Sequence, residues 1–252
     1  MKLLSVVFQH PERKTDYIRM VSVLRRSVAV NSPSTPLQVL QPEIDTKLRT
    51  IHAQATEGSR HSFLANTQKL RLWQEAVEAL EDGDVLALMD ADTVVLRDLS
   101  AATDIPFDVA YTIRPESSKL PFNAGVVLVR GNDRARTFFR RWRDINDAML
   151  VDPNYHEKFR RKFGGINQAS LGALIEDPGD LDLVRLPCEE WNSVDQTWHL
   201  YDPDTTRIAH VKGDLRRLCL GLTDKRVTAA VALAVRPLWE RWKHFDQPLE
   251  TA

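Results

Sequence analysis

The amino-acid sequence predicts an α/β fold: a mixed, mainly parallel β-sheet flanked by helices. Three observations predict it. Short apolar runs bounded by polar turns recur along the chain, as buried strands do. Between them lie longer stretches with apolar residues at helical spacing. The alternation of these two patterns is that of strands joined by helical crossovers, which makes a sheet covered on both faces.

The elements follow in order. Leu3 to Phe8 is an apolar run that ends at a polar turn, the first strand. Tyr17 to Val30 carries Ile18, Val21, Leu24 and Val28 on one helical face, and Pro33 and Pro36 stop it. Leu37 to Leu40 is a second strand. Glu43 to Ser62 is polar and weakly patterned, a loop with at most one short helix. Asn66 to Leu80 is an amphipathic helix with Leu70, Trp73, Val77 and Leu80 on one face, ended by Asp82-Gly83-Asp84. Val85 to Met89 is a fully apolar strand. Val109 to Ile113 and Gly125 to Val129 are further strands, and Thr137 to Met149 is a helix with an arginine-rich outer face. Asn167 to Leu174 begins another helix. Leu183 to Leu186 and Arg207 to Val211 are late strands, and Thr223 to Phe245 is helical, with an interruption at Pro237.

At 252 residues, 43% hydrophobic and 27% charged, the chain is long enough for one large domain with a sizeable core. A formal net charge of -1 gives no global pull toward nucleic acid or an anionic membrane. Cys188 and Cys219 have neither metal-ligand spacing nor a disulfide pattern, so they are expected to be reduced thiols near the core, in keeping with a cytoplasmic setting. The apolar run after Met1 is too short for a signal-peptide core, and no stretch approaches a membrane span.

The chemistry concentrates at Asp90-Ala91-Asp92, directly after the most apolar strand. Ligands of open α/β sheets bind beyond the carboxyl ends of the strands. Two carboxylates one residue apart there suit a hard divalent cation, Mn2+ or Mg2+, that also takes phosphate oxygens. An isolated Asp-x-Asp is common, and two acids capping a strand would read the same.

The surrounding motifs make the pattern specific. Met89-Asp90-Ala91-Asp92-Thr93-Val94-Val95-Leu96 resembles the metal-binding strand of the glycogenin and galactosyltransferase-type retaining enzymes, which have the Rossmann-like GT-A fold. Gln68-Lys69-Leu70-Arg71-Leu72-Trp73 is similar to the helix that sends a basic residue to the donor in that family. Pro121 to Val129, with Asn123-Ala124-Gly125, resembles its sugar-binding strand. Gly164-Gly165-Ile166-Asn167-Gln168 stands in the place of its Asp-Gln pair. Leu186-Pro187 with Trp191-Asn192, and Ile208-Ala209-His210-Val211-Lys212-Gly213, look like its later motifs. The motifs fall in family order over roughly Leu3 to Gly213. Two departures stand out: Asn167 replaces the usual Asp, and Asp214-Leu215-Arg216-Arg217 replaces the Lys-Pro-Trp ending, which leaves the basic residue that meets the pyrophosphate open.

The resemblance implies a metal-dependent glycosyltransferase that moves a sugar from a nucleotide-diphosphate donor, UDP-linked, to an unidentified acceptor: a glycan, a protein or modified nucleic acid. Residues 1–213 would form the GT-A domain and 214–252 a helical appendage packed on or near it. Asp90, Asp92 and His210 would hold the metal. Gln168, Asp92 and Lys69 would act at the reacting centre, with Gln168 beneath the reacting carbon. Lys69, Arg71, Asp90, Ala91, Asn123, Ala124, Gly125, Asn167, Lys212 and Gly213 would bind the donor, and Gln9 and His10 would meet the nucleotide base. An amide at Gln168 cannot serve as the base of an inverting displacement, so retention is expected, although Glu189, Glu190 and Asp195 are carboxylates near the late motifs.

Two other readings fit parts of the pattern. A phosphatase of the haloacid dehalogenase type also places Asp-x-Asp after a buried strand, but with Thr two positions after the second Asp rather than immediately after it as Thr93 is here. A catalytically dead sugar-nucleotide-binding module is the non-enzymatic reading. The run Lys158 to Phe163 reads as a solvated face or as a patch for an anionic polymer. The stripe of Leu238, Trp239, Trp242 and Phe245 reads as packing on the domain or as a membrane-surface contact.

Overall fold

A computed structural model of the chain describes residues 1–8, 16–45, 57–116, 118–222 and 229–247. Side chains 57–61, 229–232 and 234 are outside the description. Six strands make one sheet: β1 (Lys2–Val6), β2 (Leu37–Leu40), β3 (Val85–Asp90), β5 (Val109–Ile113), β6 (Phe122–Arg130) and β7 (Leu183–Pro187), in the order β2-β1-β3-β6-β5-β7. β4 (Thr93–Val95) and β8 (Ile208–His210) pair separately and antiparallel. Eight α-helices are described: α1 (Tyr17–Asn31), α2 (Glu57–Glu78), α3 (Asp133–Val151), α4 (Pro153–Phe163), α5 (Ile166–Ile175), α6 (Cys188–Trp191), α7 (Gly213–Cys219) and α8 (Ala229–Phe245).

β1 is parallel to both β2 and β3, and β5 is parallel to β7. β6 alone runs the other way, antiparallel to β3 on one side and β5 on the other. The carboxyl ends of the five parallel strands therefore share one edge of the sheet, and β6 presents its amino end, Phe122-Asn123, at that same edge.

Strand alternation builds the core on both faces. Leu4, Val6, Leu86 and Leu88 face Leu70, Trp73, Val77 and Trp142 of α2 and α3. Leu3, Val85, Ala87 and Met89 face Leu24 and Val28 of α1. A third cluster joins α1, β4, β8 and α8 through Met20, Val94, Ala209 and Trp242. The Ser27 hydroxyl of α1 accepts the Val95 N–H, which pins β4 to that helix.

Several sequence expectations need correction. α2 begins at Glu57, nine residues before the periodic stretch. β4 and α4 were not expected as elements. α8 runs unbroken through Pro237, because Leu238, Trp242 and Phe245 beyond it are buried against α1 and the neighbouring elements; burial outweighs the helix-breaking tendency of an internal proline. Those side chains are therefore packed inward and are not offered to a membrane. Arg19 and Arg26 of α1 fasten the end of α8 through Asp246 and the Phe245 carbonyl. The run Lys158 to Phe163 is α4. Its two phenylalanines are buried, Arg160 and Arg161 pair with Glu157, and Lys162 pairs with Glu176. Two carboxylates thus offset part of the charge of the four basic residues, and Lys158 lies over the Phe159 ring. Both cysteines are free and buried, as expected. No helix among the described residues is long and apolar enough to cross a membrane.

Candidate functional site

The site forms at the shared carboxyl edge. Asp90 is the last residue of β3, held in register opposite Val6 of β1. The chain turns at Ala91-Asp92 and re-enters as β4, whose Thr93 pairs with His210 of β8. The Thr93 hydroxyl donates to the Asp90 carbonyl, and the Val211 N–H donates to the Asp92 carbonyl at 2.7 Å. This small sheet fixes three side chains distant in sequence onto one point. His210 Nε2 lies 3.2 Å from Asp92 Oδ1 and 3.7 Å from Asp90 Oδ2.

The two carboxylates are oriented alike. Lys69 Nζ of α2 holds Asp90 Oδ1 at 2.5 Å, which leaves Oδ2 toward His210. Arg216 of α7 pairs with Asp92 Oδ2, which leaves Oδ1 toward His210. Burial alone would raise the Asp92 carboxyl, but His210 and Arg216 together outweigh it and hold the group well below the usual carboxylate range.

The imidazole is oriented as tightly. The Gly125 N–H donates to Asn123 Oδ1 at 2.7 Å, so that oxygen is an acceptor. Asn192 Nδ2 donates to the same oxygen at 3.1 Å and to Thr112 Oγ1 at 2.9 Å. Asn192 Oδ1 then faces His210 Nδ1 at 3.1 Å and can only accept. Nδ1 is thus the ring nitrogen that donates to Asn192, and Nε2 is the one turned toward the two carboxylates. Gly125 lies where β6 slips register against β5, between the pairs Tyr111↔Val127 and Thr112↔Asn123. A Cβ there would lie 2.5 Å from His210 Cε1, so the imidazole requires a glycine beneath it.

Asp90, Asp92 and His210 offer ligand atoms that all lie within 4.8 Å of one another. A cation bonded at roughly 2.0–2.6 Å can bridge that spacing. Two carboxylate oxygens and an imidazole nitrogen are a donor set for a divalent cation. The residues present therefore fit a divalent ion.

Around this cluster is a cleft lined by the end of β1 (Val6, Val7, Phe8), by Tyr17, by Asn66 and Lys69 of α2, and by Lys212 and Arg216. Of the residues anticipated from sequence, Lys69, Asp90, Ala91, Asp92, His210 and Lys212 line it together. Gln9 and His10 lie outside the described residues. Arg71, two positions beyond Lys69 on α2, is carried around the helix and pairs with Asp147 at 3.0 Å. Asn123 and Gly125 sit beneath the imidazole rather than on the cleft lining, and Ala124 between them faces the core on the side of α2 and α3. Asn167 is likewise turned inward, where its Oδ1 accepts from Asn146 and its Nδ2 donates to the Asn66 carbonyl. Gln168 does not line the cleft, and its Nε2 donates to the Phe163 carbonyl at 2.6 Å. Gly213 opens α7 at φ 52°, a left-handed backbone that favours glycine, and has open space around it.

Sequence reading missed Arg216. The structure chooses between the two arginines of that segment: Arg217 pairs with Asp214 within α7, whereas Arg216 turns to the cleft and Asp92. Its offset of six from His210 was the available signal. A one-strand, one-turn segment this short gives no periodicity from which to assign its face.

The sequence matches no protein-family model and no curated protein. Solved structures do match over nearly the whole chain. A galactosyltransferase LgtC crystallised with donor and acceptor sugar analogs is 16% identical, with TM-score 0.57, over 100% of this chain and 97% of that one. The chain has the GT-A glycosyltransferase fold. A glycosyltransferase involved in glycosylation of the PBCV-1 major capsid shares this fold at 12% identity and TM-score 0.54, over 88% of this chain and 98% of that one. Mouse xyloside xylosyltransferase 1 in its apo form shares it at 12% identity and TM-score 0.52, over 85% and 99%. In this GT-A fold the cluster and its cleft occupy the carboxyl edge, where open α/β sheets receive their ligands.

Proposed function

We propose that the protein is a metal-dependent glycosyltransferase that transfers a sugar from a nucleotide-diphosphate donor, UDP-linked, with retention of anomeric configuration. The observation that carries this reading is the convergence of Asp90, Asp92 and His210 with Lys69, Lys212 and Arg216 in one cleft of a GT-A fold.

Asp90, Asp92 and His210 would hold Mn2+ or Mg2+. The bound ion would neutralise charge that develops on the diphosphate leaving group. Lys69 and Arg216 keep the carboxylates aimed at the ion and add positive charge to the cleft. Lys212, on the cleft lining and paired with Asp195 at 3.2 Å, would add positive charge beside the phosphates. Val7, Phe8 and Tyr17 form the apolar end of the cleft, suited to the nucleotide base and ribose. Gln168, its Nε2 committed to Phe163, would meet the sugar through Oε1. Among the described residues the cleft lining includes no carboxylate besides Asp90 and Asp92. Glu190 is paired with Arg207 and Asp195 with Lys212, and neither they nor Glu189 is on that lining, where a base for a single displacement would have to stand. That supports retention.

The test is a panel of nucleotide sugars, each assayed for hydrolysis with Mn2+, Mg2+ or chelator. Metal-dependent release of UDP that vanishes in Asp92→Asn, with the fold intact by circular dichroism, is the expected outcome. Undiminished turnover in that variant with chelator present would refute the metal site. Proton NMR of the first-formed product decides retention.

A further inference from the structure

Among the described residues, one buried cation has no part in this mechanism. Arg114 follows β5 directly and stands at the carboxyl edge of the sheet. Its backbone N–H closes the loop to β6 by donating to the Pro121 carbonyl. Its side chain is buried, with the residue 8% exposed, and Nε has no hydrogen-bond partner. Among the described residues no ion pair reaches the guanidinium. An arginine cannot discharge itself by losing its proton, and a buried charge without a partner is costly.

The surroundings do not neutralise it. Burial lowers its pKa, and the carboxylate whose field opposes that is Asp195. Asp195, however, is already paired with Lys212. The thiol of Cys188, also nearby, is pushed up to about 11 by burial and stays neutral. The charges of the cleft otherwise close in pairs: Lys69 with Asp90, Arg216 with Asp92, Lys212 with Asp195. A divalent ion would add two positive charges, and a diphosphate bridge carries two negative ones. Arg114 is left over.

Its position says which substrate would meet it. Arg114 is the residue after β5, and β6 lies between β5 and β3, which carries Asp90. Two strand spacings put it roughly 10 Å from the metal cluster. The apolar end of the cleft, at β1 and Tyr17, lies on the opposite side of Asp90. A nucleotide lying there has its phosphates at the metal and its sugar pointing toward β6 and β5. What lies beyond the sugar is the acceptor. We propose that Arg114 is an acceptor-recognition residue, selecting an acceptor that bears an anionic group, a carboxylate or a phosphate. The planar guanidinium fork matches either group. This inference rests on the glycosyltransferase reading.

Two measurements test it. The first needs no ligand. If Arg114 waits unpaired for an anion, Arg114→Gln removes a buried charge, and the protein should melt about 2–4 °C higher. A lower melting temperature would make Arg114 a structural strut and overturn the proposal. The second titrates methyl glucoside, methyl glucuronide and glucose 6-phosphate into protein saturated with UDP and Mn2+, so that phosphate cannot enter at the metal. UDP binding is itself the control: its failure in the wild type counts against the glycosyltransferase reading, while the melting comparison still judges Arg114. At least one acidic probe should bind roughly tenfold tighter than methyl glucoside. Arg114→Gln should erase that preference and leave UDP binding unchanged. Preference for the glucuronide alone assigns a carboxylate, and preference for the phosphate alone assigns a phosphate ester. Equal binding of all three probes, or a preference that survives in Arg114→Gln, overturns the proposal.

Discussion

Gly125→Ala should damage the metal site without replacing any of its three ligands. The added methyl would lie 2.5 Å from His210 Cε1, 2.7 Å from His210 Nδ1 and 2.7 Å from Asn123 Oδ1. Carbon atoms in ordinary contact sit about 3.5–4.0 Å apart, so the ring must retreat by about 1 Å. It has little freedom to do so. Moving away stretches the 3.1 Å contact to Asn192 and displaces Nε2 from its place 3.2 Å from Asp92. Overpacking of this kind costs about 1–3 kcal/mol. Loss of a ligand's supporting contacts lowers metal affinity by about 10- to 100-fold. Calorimetric titration with Mn2+, alongside a thermal melt, reads both. Gly165→Ala is the control, since Gly165 has φ -59° and nothing within 4 Å of its would-be Cβ. Manganese affinity within twofold of wild type in Gly125→Ala, with an unchanged melt, would show that the imidazole is not wedged as described.

The other predictions concern the same network and its neighbours. Asn192→Asp keeps an acceptor for His210 but sets an oxygen against Asn123 Oδ1, and should cost about 1–3 kcal/mol in denaturant melts as well as metal affinity; unchanged values for both would remove Asn192 from the support of His210. Asp92 is held below its usual range in the folded chain, so its contribution to stability is present above the unfolded value and lost as pH falls through and below it. The melting temperature of Asp92→Asn should therefore fall less than that of the wild type over roughly pH 5 to 3, and parallel declines would contradict the assignment. Burial raises the pKa of both Cys188 and Cys219. Neither should react with a disulfide reagent at pH 8 until denaturant is added, when both should titrate; fast labelling of the native chain would contradict their burial.

How far the sequence disclosed this site depended on the length of the segment that carries each part. Val85 to Met89 is a full apolar strand bounded by a glycine turn, and the two aspartates at its end follow at once. β4 has three residues and no turn of its own, so its Val94-Val95 was absorbed into the motif. α4 had readable signals: Asp152 caps it, Pro153 opens it, and Tyr155, Phe159 and Phe163 recur every fourth residue. The four basic residues among them drew attention to charge instead. Asn192 could not be given a task from sequence, because its role depends on a hydrogen bond to Asn123, 69 residues away. Arg71 and Lys69 are equivalent as basic residues on one helix. Only the packing of α2 against α3 decides which faces Asp90 and which faces Asp147.

Asn167 shows that a departure from a motif can be a consequence of packing rather than a defect in the site. Thr67 donates to Asn146 Oδ1, and Asn146 Nδ2 donates in turn to Asn167 Oδ1 and to Ser170. Asn167 Nδ2 then donates to the Asn66 carbonyl of α2, and the Trp142 indole donates to the Asn167 carbonyl. Each member both gives and receives as its chemistry allows, and the network ties α2, α3 and α5 together inside the core. An aspartate at 167 could accept from Asn146 but could not donate to Asn66, which would leave a buried carboxylate oxygen facing a carbonyl. The asparagine therefore follows from Asn146 and the α2 backbone. Asn66 lies three residues before Lys69, one turn along the same helix. The amide at 167 thus helps set the helix that aims Lys69 at Asp90, and it does so from outside the cleft.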